Sequence, residues 1–332
     1  MKNGIKHLSA VAAISCTVLA LGITAVAILS HHLGGIFLFA VLSPFQMQYF
    51  VALLTLSAIA LCLKRPRLIL LTLFCAALLS AQIAPWYVPS LQSTASTSYR
   101  VLSANLNITN QRATKVLAWT EKEQPDLALF LEVNNVMAEK LEALKTVMPY
   151  SSNQAYPYQP GAVLYSKYPL TDAKIQKFNT NNAVNLTAQV QVKNKGKEQP
   201  ISIVAIHPLP PMNRTFLKKR NTVFSAVGEY VKQQIDPVLL IGDFNVTMWS
   251  PHYRSLVHQT NLKNTRKGFG TLPTWPVNLS RYFTPTLGFL ERFIQIPIDQ
   301  CLVSPSLSVT GMHTGDNLGS DHLPIVIDLS LG

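Results

Sequence analysis

The first 99 of the 332 residues contain no aspartate or glutamate, and all 16 acids lie beyond Arg100. Only five of the 28 lysines and arginines fall in that acid-free stretch: Lys2, Lys6, Lys64, Arg65 and Arg67. So sparse a charge excludes an ordinary soluble surface for this third of the chain and leaves 23 basic against 16 acidic residues for the rest. That modest excess suits phosphate-bearing partners or an anionic membrane surface, and it falls short of a nucleic-acid footprint. Cysteine is equally scarce. Cys16, Cys62 and Cys75 lie in apolar segments and Cys301 stands alone, a distribution that excludes a disulfide framework and any cysteine-type metal spacing. All four read as small buried apolar residues. Internal repeats and low-complexity runs are absent.

What fills the first third is hydrophobic. Residues 8–30 form an uncharged run long enough to cross a hydrocarbon core of about 30 Å at about 1.5 Å per residue. The run exceeds a secretory apolar region and more hydrophobic chain follows, which argues against a cleaved leader. A second stretch over 36–63 is interrupted by Pro44, Gln46 and Gln48, so a span over 47–63 with an interfacial lead-in is expected. The third runs over 68–88 and closes on Trp86 and Tyr87 as interface aromatics. The five basic residues flank one side of this arrangement, and the connection around His31, His32 and Gly34 carries no lysine or arginine. By the positive-inside tendency the basic side is cytoplasmic, and three crossings leave everything after Tyr87 outside it. In a bacterium that means a multi-pass inner-membrane protein with its remainder on the periplasmic or extracellular side. No acid, lysine, arginine or histidine falls within the spans, which favours anchoring over transport. Three parts are therefore expected: a membrane domain over 1–88, a polar linker over 89–98 and a catalytic domain over 99–332.

From Tyr99 onward short apolar runs alternate with helical patterns. Strands are expected over 100–107, ending in two amides, over 127–131, ending directly in Glu132, and over 161–165, 184–192 and 201–206. The polar run 193–198 between the last two reads as a hairpin turn. Helices are expected over 112–123, 136–148 and 216–231. Ser250-Pro251 offers a hydroxyl cap and a first-turn proline for another. The segment Val238-Leu-Leu-Ile241 is too short for a helix and suits a central strand covered on both faces. It stops at Gly242, after which alternation puts Asp243 and Asn245 on one side and Phe244 on the other. Strands over 296–303 and 323–329 complete a layered α/β sandwich with mixed sheets.

Strand ends in this half repeatedly finish in a polar residue: Asn105, Glu132, His207, Asp243 with Asn245, Asp299, and Asp321-His322 before the last strand. Each alone also reads as a cap, a turn or a packing residue. Six such placements at strand ends point to one site. Taken in order, Ser103-Ala-Asn105, Phe130-Leu-Glu132, His207, Gly242-Asp-Phe-Asn245, Ile298-Asp299 and Gly319-Ser-Asp-His322 resemble the signature of the endonuclease/exonuclease/phosphatase superfamily. The resemblance covers residues 100–331. His207-Pro-Leu-Pro-Pro211 and the spans are further similar to a membrane-anchored bacterial branch that includes teicoplanin-resistance-type proteins.

The resemblance implies a deoxyribonuclease I-like four-layer α/β/β/α sandwich behind three transmembrane helices. It implies a metal-dependent hydrolase of phosphoester bonds using Mg²⁺, with Mn²⁺ as a substitute. Glu132 would be the principal ligand with Asn105 beside it; such an ion takes few carboxylates and keeps several waters. Asp243 would orient or deprotonate the attacking water and Asn245 would hold a phosphoryl oxygen. His207 would face the leaving group, Asp299 would orient a partner, and Asp321 would fix the tautomer of His322, which would contact the phosphoryl group.

For the substrate, His207 stands where the abasic-site nucleases of this superfamily carry tyrosine, which speaks against that specialisation. The stretch 265–293 has no periodicity and many aromatics, among them Trp275, Tyr282, Phe283 and Phe289. It is expected either to shape the mouth of the site and face the membrane or to pack its side chains on the sandwich. Arg214, Lys218, Lys219 and Arg220 are read either as phosphate-gathering or as a solvated helix face. The expected partner is a phosphate-bearing and preferably lipid-linked substrate. An extracytoplasmic nuclease is the alternative, and a catalytically inactive membrane scaffold is the third reading.

Overall fold

The computed structural model describes residues 2–89, 98–152, 161–179, 184–194, 196–278 and 291–331. In chain order the elements are α1 (Lys2–His32), α2 (Phe37–Leu42), α3 (Gln46–Cys62), α4 (Pro66–Ile83), β1 (Ser98–Asn105), α5 (Ala113–Glu123), β2 (Leu127–Val133), α6 (Asn135–Leu141), β3 (Tyr150–Ser151), β4 (Gly161–Ser166), β5 (Leu170–Ile175), β6 (Leu186–Asn194) and β7 (Lys197–Ile206). They continue with α7 (Arg214–Lys232), β8 (Val238–Asp243), α8 (Pro251–Thr260), β9 (Lys263–Asn264), α9 (Glu291–Ile294), β10 (Asp299–Val303), β11 (Leu307–Thr314) and β12 (Ile325–Leu331).

Three helical stretches, His7–His32, Phe37–Cys62 and Pro66–Trp86, are long and apolar enough to cross a membrane. The second departs from expectation in its first half. Its expected lead-in is helical, α2 followed by a 3₁₀ turn at Ser43–Phe45, and continues into α3. Gln46, which seemed to interrupt the span, is buried, and its Nε2 donates to Ala27 O and Ser30 Oγ of α1, both at 3.2 Å. A polar side chain in the apolar stretch thus serves as a contact between helices. At the basic end, Arg65 donates to Ser9 Oγ at 3.0 Å, tying the α3–α4 turn to the start of α1.

Beyond the helices lie two six-stranded sheets, ordered β11-β12-β1-β2-β4-β3 and β5-β6-β7-β8-β10-β9. Each contains one parallel pair, β1 with β2 and β7 with β8, and the remaining pairs are antiparallel. A parallel neighbour cannot be reached by a tight turn, so α5 and α7 serve as the crossovers. Burial sorts by residue parity. In β8, Leu239 and Ile241 enter the core between the sheets, while Val238 and Leu240 face α7 and α8. In β2, Leu127, Leu129 and Leu131 face the partner sheet, and Ala128 and Phe130 face α5 and α6. Two faces buried per strand explain why these runs are apolar without alternation. The result is the four-layer sandwich that the resemblance implied.

Several boundaries differ from the sequence reading. The 136–148 segment is α6 followed by a 3₁₀ turn, Glu142–Thr146, and Asn134 caps α6 through Oδ1 to Met137 N at 2.8 Å. The hairpin after β6 is tighter than expected, with Lys193 paired to Glu198 and Asn194 to Lys197. Helix α8 begins at Pro251, but the Ser250 side chain makes no capping bond. Strands β5 and β11 escaped the sequence reading, as did the two-residue β3 and β9.

Candidate active site

All the strand-end residues singled out in the sequence meet at one end of the sandwich, and parity explains how. Asn105, His207, Asp243 and Asp299 are each the next inward position of a strand whose preceding or following inward residues form the core between the sheets. Where the apolar run ends, the same face continues in polar groups. Asp243 and Asp299 are register partners on antiparallel β8 and β10, which fixes their proximity.

Glu132 is the exception that proves informative. Strict alternation would turn it toward α5 and α6, yet it is Val133 that joins Ala128 and Phe130 in that outer core. The register of β2 against β4 slips between Phe130 and Val133, and Glu132 has φ +53°. One extra residue in a left-handed conformation is a bulge, and it turns the glutamate inward. Left-handed backbone at a non-glycine residue costs on the order of 1 kcal/mol or more and persists where the surroundings enforce it. Asn245, at φ +51°, shows the same strain directly after β8.

Asn105 is the hub. Its Nδ2 donates to Glu132 Oε1 at 2.9 Å and to Asp243 Oδ2 at 3.1 Å, and its Oδ1 accepts from Asn107 N at 3.0 Å. His207 Nε2 lies 3.5 Å from both Glu132 Oε1 and Asp243 Oδ2. His322 is buried; its Nδ1 is 2.9 Å from Asp299 Oδ2 and its Nε2 is 3.7 Å from Asp243 Oδ2. Asp243 Oδ1 accepts from Asn245 N at 2.8 Å.

The electrostatics follow from this enclosure. Burial pushes the Asp243 carboxyl up to about 6, against the lowering effect of His322, His207 and the Asn245 amide. For His322, burial alone would disfavour the charged ring, but the carboxylates of Asp299 and Asp243 outweigh it and hold the imidazolium up to about 10. With Nδ1 committed to Asp299, Nε2 is the nitrogen presented to the site.

Two assignments need correction, those of Asp321 and Arg220. Asp321 does not fix His322: its Oδ1 accepts from Asn107 Nδ2 at 2.7 Å and its Oδ2 from Trp275 Nε1 at 3.2 Å, and the partner of His322 is Asp299. Asn105, expected beside Glu132 at the metal, does lie next to it, with its amide nitrogen bonded to the carboxylates of Glu132 and Asp243. Arg220 gathers nothing at the surface; it is buried, with Nη1 donating to Asn245 O at 2.8 Å, and burial pulls its guanidinium down to about 10. Asn245 Nδ2 donates to Pro208 O at 3.0 Å, so the loop after β7 is tied to the end of β8.

The sequence reading missed the frame behind these groups. Buried Arg266 donates from Nη1 and Nη2 to Asp299 O at 3.2 and 2.9 Å. Ser320 Oγ donates to Asn105 O at 2.7 Å and accepts from His322 N at 3.0 Å. An arginine inside an aperiodic loop carries no sequence signal for such a role. Of the loop aromatics, Trp275 reaches the site, with its ring 6.5 Å from that of His322. Tyr282, Phe283 and Phe289 lie outside the described residues, as does most of the expected 89–98 linker.

A divalent cation fits this donor set at Glu132. That carboxylate is 23% exposed, close to the hub, and offers hard oxygens at an open edge where an ion could keep its waters. Asp243, Asp299 and His322 also bring ligand-type atoms within 4.8 Å of one another. There the His322 nitrogen is already bonded to Asp299, so the cluster reads better as a hydrogen-bonded acid–histidine pair.

Two face-to-face mixed sheets under outer helices, with carboxylates, amides and histidines gathered where the parallel strands end, define a deoxyribonuclease I-like hydrolase fold. Residues 102–322 match the Endonuclease/Exonuclease/phosphatase family, and the chain belongs to it. Its members are generally metal-dependent phosphoester hydrolases. No curated protein matches the chain significantly. Among solved structures, the D. rerio TDP2 complexed with single strand DNA product is 16% identical with a TM-score of 0.55, covering 71% of this chain and 100% of that one. An endonuclease/exonuclease/phosphatase from Beutenbergia cavernae DSM 12333 is 19% identical with a TM-score of 0.52, covering 71% and 72%. A functionally unknown conserved protein from Enterococcus faecalis V583 is 17% identical with a TM-score of 0.55, covering 70% and 100%. At these identities the likeness is one of fold.

Proposed function

We propose that the chain is a membrane-anchored, divalent-metal-dependent phosphoesterase that hydrolyses a lipid-linked phosphate ester, pyrophosphate or phosphodiester outside the cytoplasm. The observation that carries the lipid-linked reading is a cavity of about 360 Å³ between the second span and the loops of the site. Met47, Val51 and Ala52 of α3 line one wall, and Pro273, Arg292 and Pro297 line the other. Pro273 precedes Thr274, whose Oγ1 accepts from Asp299 N at 3.4 Å, and Pro297 stands two residues before Asp299, so two chain segments of the cavity wall lead directly into the cluster. An apolar wall with one guanidinium suits a hydrocarbon chain ending in a phosphate. The basic end of the bundle, with Lys64, Arg65 and Arg67, lies opposite the end that carries the sandwich, which supports an extracytoplasmic site. The spans and the His207-Pro segment agree with a membrane-anchored branch of the family.

In this reading Glu132 would hold Mg²⁺, with Mn²⁺ as a substitute, which would neutralise charge on the phosphoryl oxygens. Asp243, with its carboxyl pushed up to about 6, orients the attacking water and accepts its proton near neutral pH. His322, kept cationic by Asp299, donates from Nε2 to a phosphoryl oxygen, and Asn245 closes the same side. His207 stands toward the leaving group.

A nuclease is the second reading, allowed by the modest basic excess of the domain and favoured by the fold neighbour crystallised with a DNA product. The full-length protein with Mg²⁺, given a polyprenyl pyrophosphate and plasmid DNA side by side, separates the two. Phosphate release from the lipid, lost with EDTA and in His207→Ala, supports the proposal. Nicked plasmid with an untouched lipid replaces it by the nuclease, and silence on both points to another phosphodiester or to the scaffold.

A further inference from the structure

We propose that a second, larger cavity binds the phosphate headgroup of an anionic membrane phospholipid and thereby fixes the sandwich on the bilayer surface. The cavity, about 850 Å³, lies where the ends of α1 and α4 meet α8 and β9. Its polar lining includes His31, Arg254, His258, Lys263 and Lys267, and no aspartate or glutamate is among the described residues that line it. Val257, Leu262 and Leu307 supply apolar wall.

The charge here is built in. Arg254 donates from Nη2 to His31 O at 2.7 Å, and its Nη1 meets His31 Nδ1 at 2.9 Å and Trp249 O. All of these partners are neutral or uncharged acceptors, and among the described residues no carboxylate pairs with this half-buried guanidinium. Lys263 and Lys267 add two exposed ammonium groups from the adjacent strand and turn. A concave surface with several cations and no acid favours an anion.

Depth identifies the anion as a lipid. His31 and Trp86 close the first and third spans, so the cavity sits at the level of the headgroups, where a juxtamembrane lysine or arginine contributes most. One to two turns further in, Ile28 and Leu29 of α1 and Leu78 of α4 are exposed and offer the apolar surface that acyl chains need. The cavity is separate from the catalytic cluster. Lys263 pairs with Val303 at the far end of β10 from Asp299, about 13 Å along the strand at strand rise. It therefore does not rest on the proposed reaction.

The test is native mass spectrometry of the full-length protein released from mixed micelles, titrated with phosphatidylglycerol or with phosphatidylcholine of the same chains. Phosphatidylglycerol should bind at least tenfold more tightly. The double variant Lys263→Gln, Lys267→Gln should lose roughly thirtyfold of that affinity, from two lysines at the headgroup level. Lys115→Gln with Lys140→Gln, on helices of the opposite layer, should lose none. Equal affinity for the two lipids, or an unchanged Kd in the Lys263/Lys267 variant, would overturn the proposal. Displacement of the lipid by excess inorganic phosphate would also overturn it, by showing a site for soluble anions.

Discussion

The residue on which the chemistry most depends for its placement is Glu132, because its direction comes from a backbone irregularity and not from strand alternation. The sequence showed a glutamate at the end of a buried strand. It could not show the bulge, since no glycine or proline marks it. Replacing Glu132 with Gln keeps the shape and removes the charge a cation needs. Turnover should fall on the order of 10²–10⁴-fold, comparable to losing an acid–base group, and the rise in Tm that Mg²⁺ gives the wild-type protein should disappear. A variant that keeps that metal-dependent rise would place the ion elsewhere. The His322–Asp299 pair was similarly hidden: Asp321 is the neighbour in sequence, but the antiparallel pairing of β10 with β8 brings Asp299 to the ring. His322 has a folded-state pKa of about 10 against 6.5 unfolded, so its contribution to stability is complete below pH 6.5 and is lost as pH rises through about 10. In Asp299→Asn the folded value drops, and the alkaline fall in Tm and in kcat/KM should begin at lower pH. Superimposable alkaline limbs for wild type and variant would exclude Asp299 as the group that keeps the ring charged.

At the scale of elements, the buried strands β2, β7 and β8 and the helices α5 and α7 were legible because each carries a largely apolar run or a clear helical period. The edge strands were not. β5 is largely exposed, and β11 has a register shift at Val309/Gly311 with little apolar content, so neither has a periodic signature to read. The turn from strand to site depends on Gly242. Its φ is +140°, and a Cβ there would come within 2.2 Å of Ile206 O on the parallel strand β7. Gly242→Ala should therefore destabilise the protein by well over about 1 kcal/mol, the ordinary cost of alanine at positive φ, and should separate β7 from β8 where His207 and Asp243 meet. Urea denaturation measures it; an unchanged midpoint would mean that the strand shifts without penalty.

For the whole molecule, the sequence distinguished the three apolar helices from the α/β sandwich but did not show how closely they join. The helix ends and the sandwich share hydrogen bonds: Trp249 Nε1 donates to Gln82 O at 3.2 Å, Gly268 N and Gly270 N donate to Trp86 O at 3.0 and 2.7 Å, and Gln48 Nε2 donates to Gln295 O at 2.9 Å. Ile83 lies in the same core cluster as Phe224 and Phe244. Such contacts come from chain segments some 140 to 250 residues apart, which no local pattern records. They put the second span beside the loops of the site and give the lipid-linked reading its physical basis. The most direct measurement is kcat/KM for a long-chain lipid pyrophosphate and for a short water-soluble analogue with the same phosphate group, in wild type and in Ala52→Trp, which fills the cavity at α3. The account predicts that the indole lowers the long-chain value by at least tenfold, as expected when a few buried methylenes lose their place, and leaves the short analogue unchanged. Equal effects on both substrates, or none on either, would contradict it.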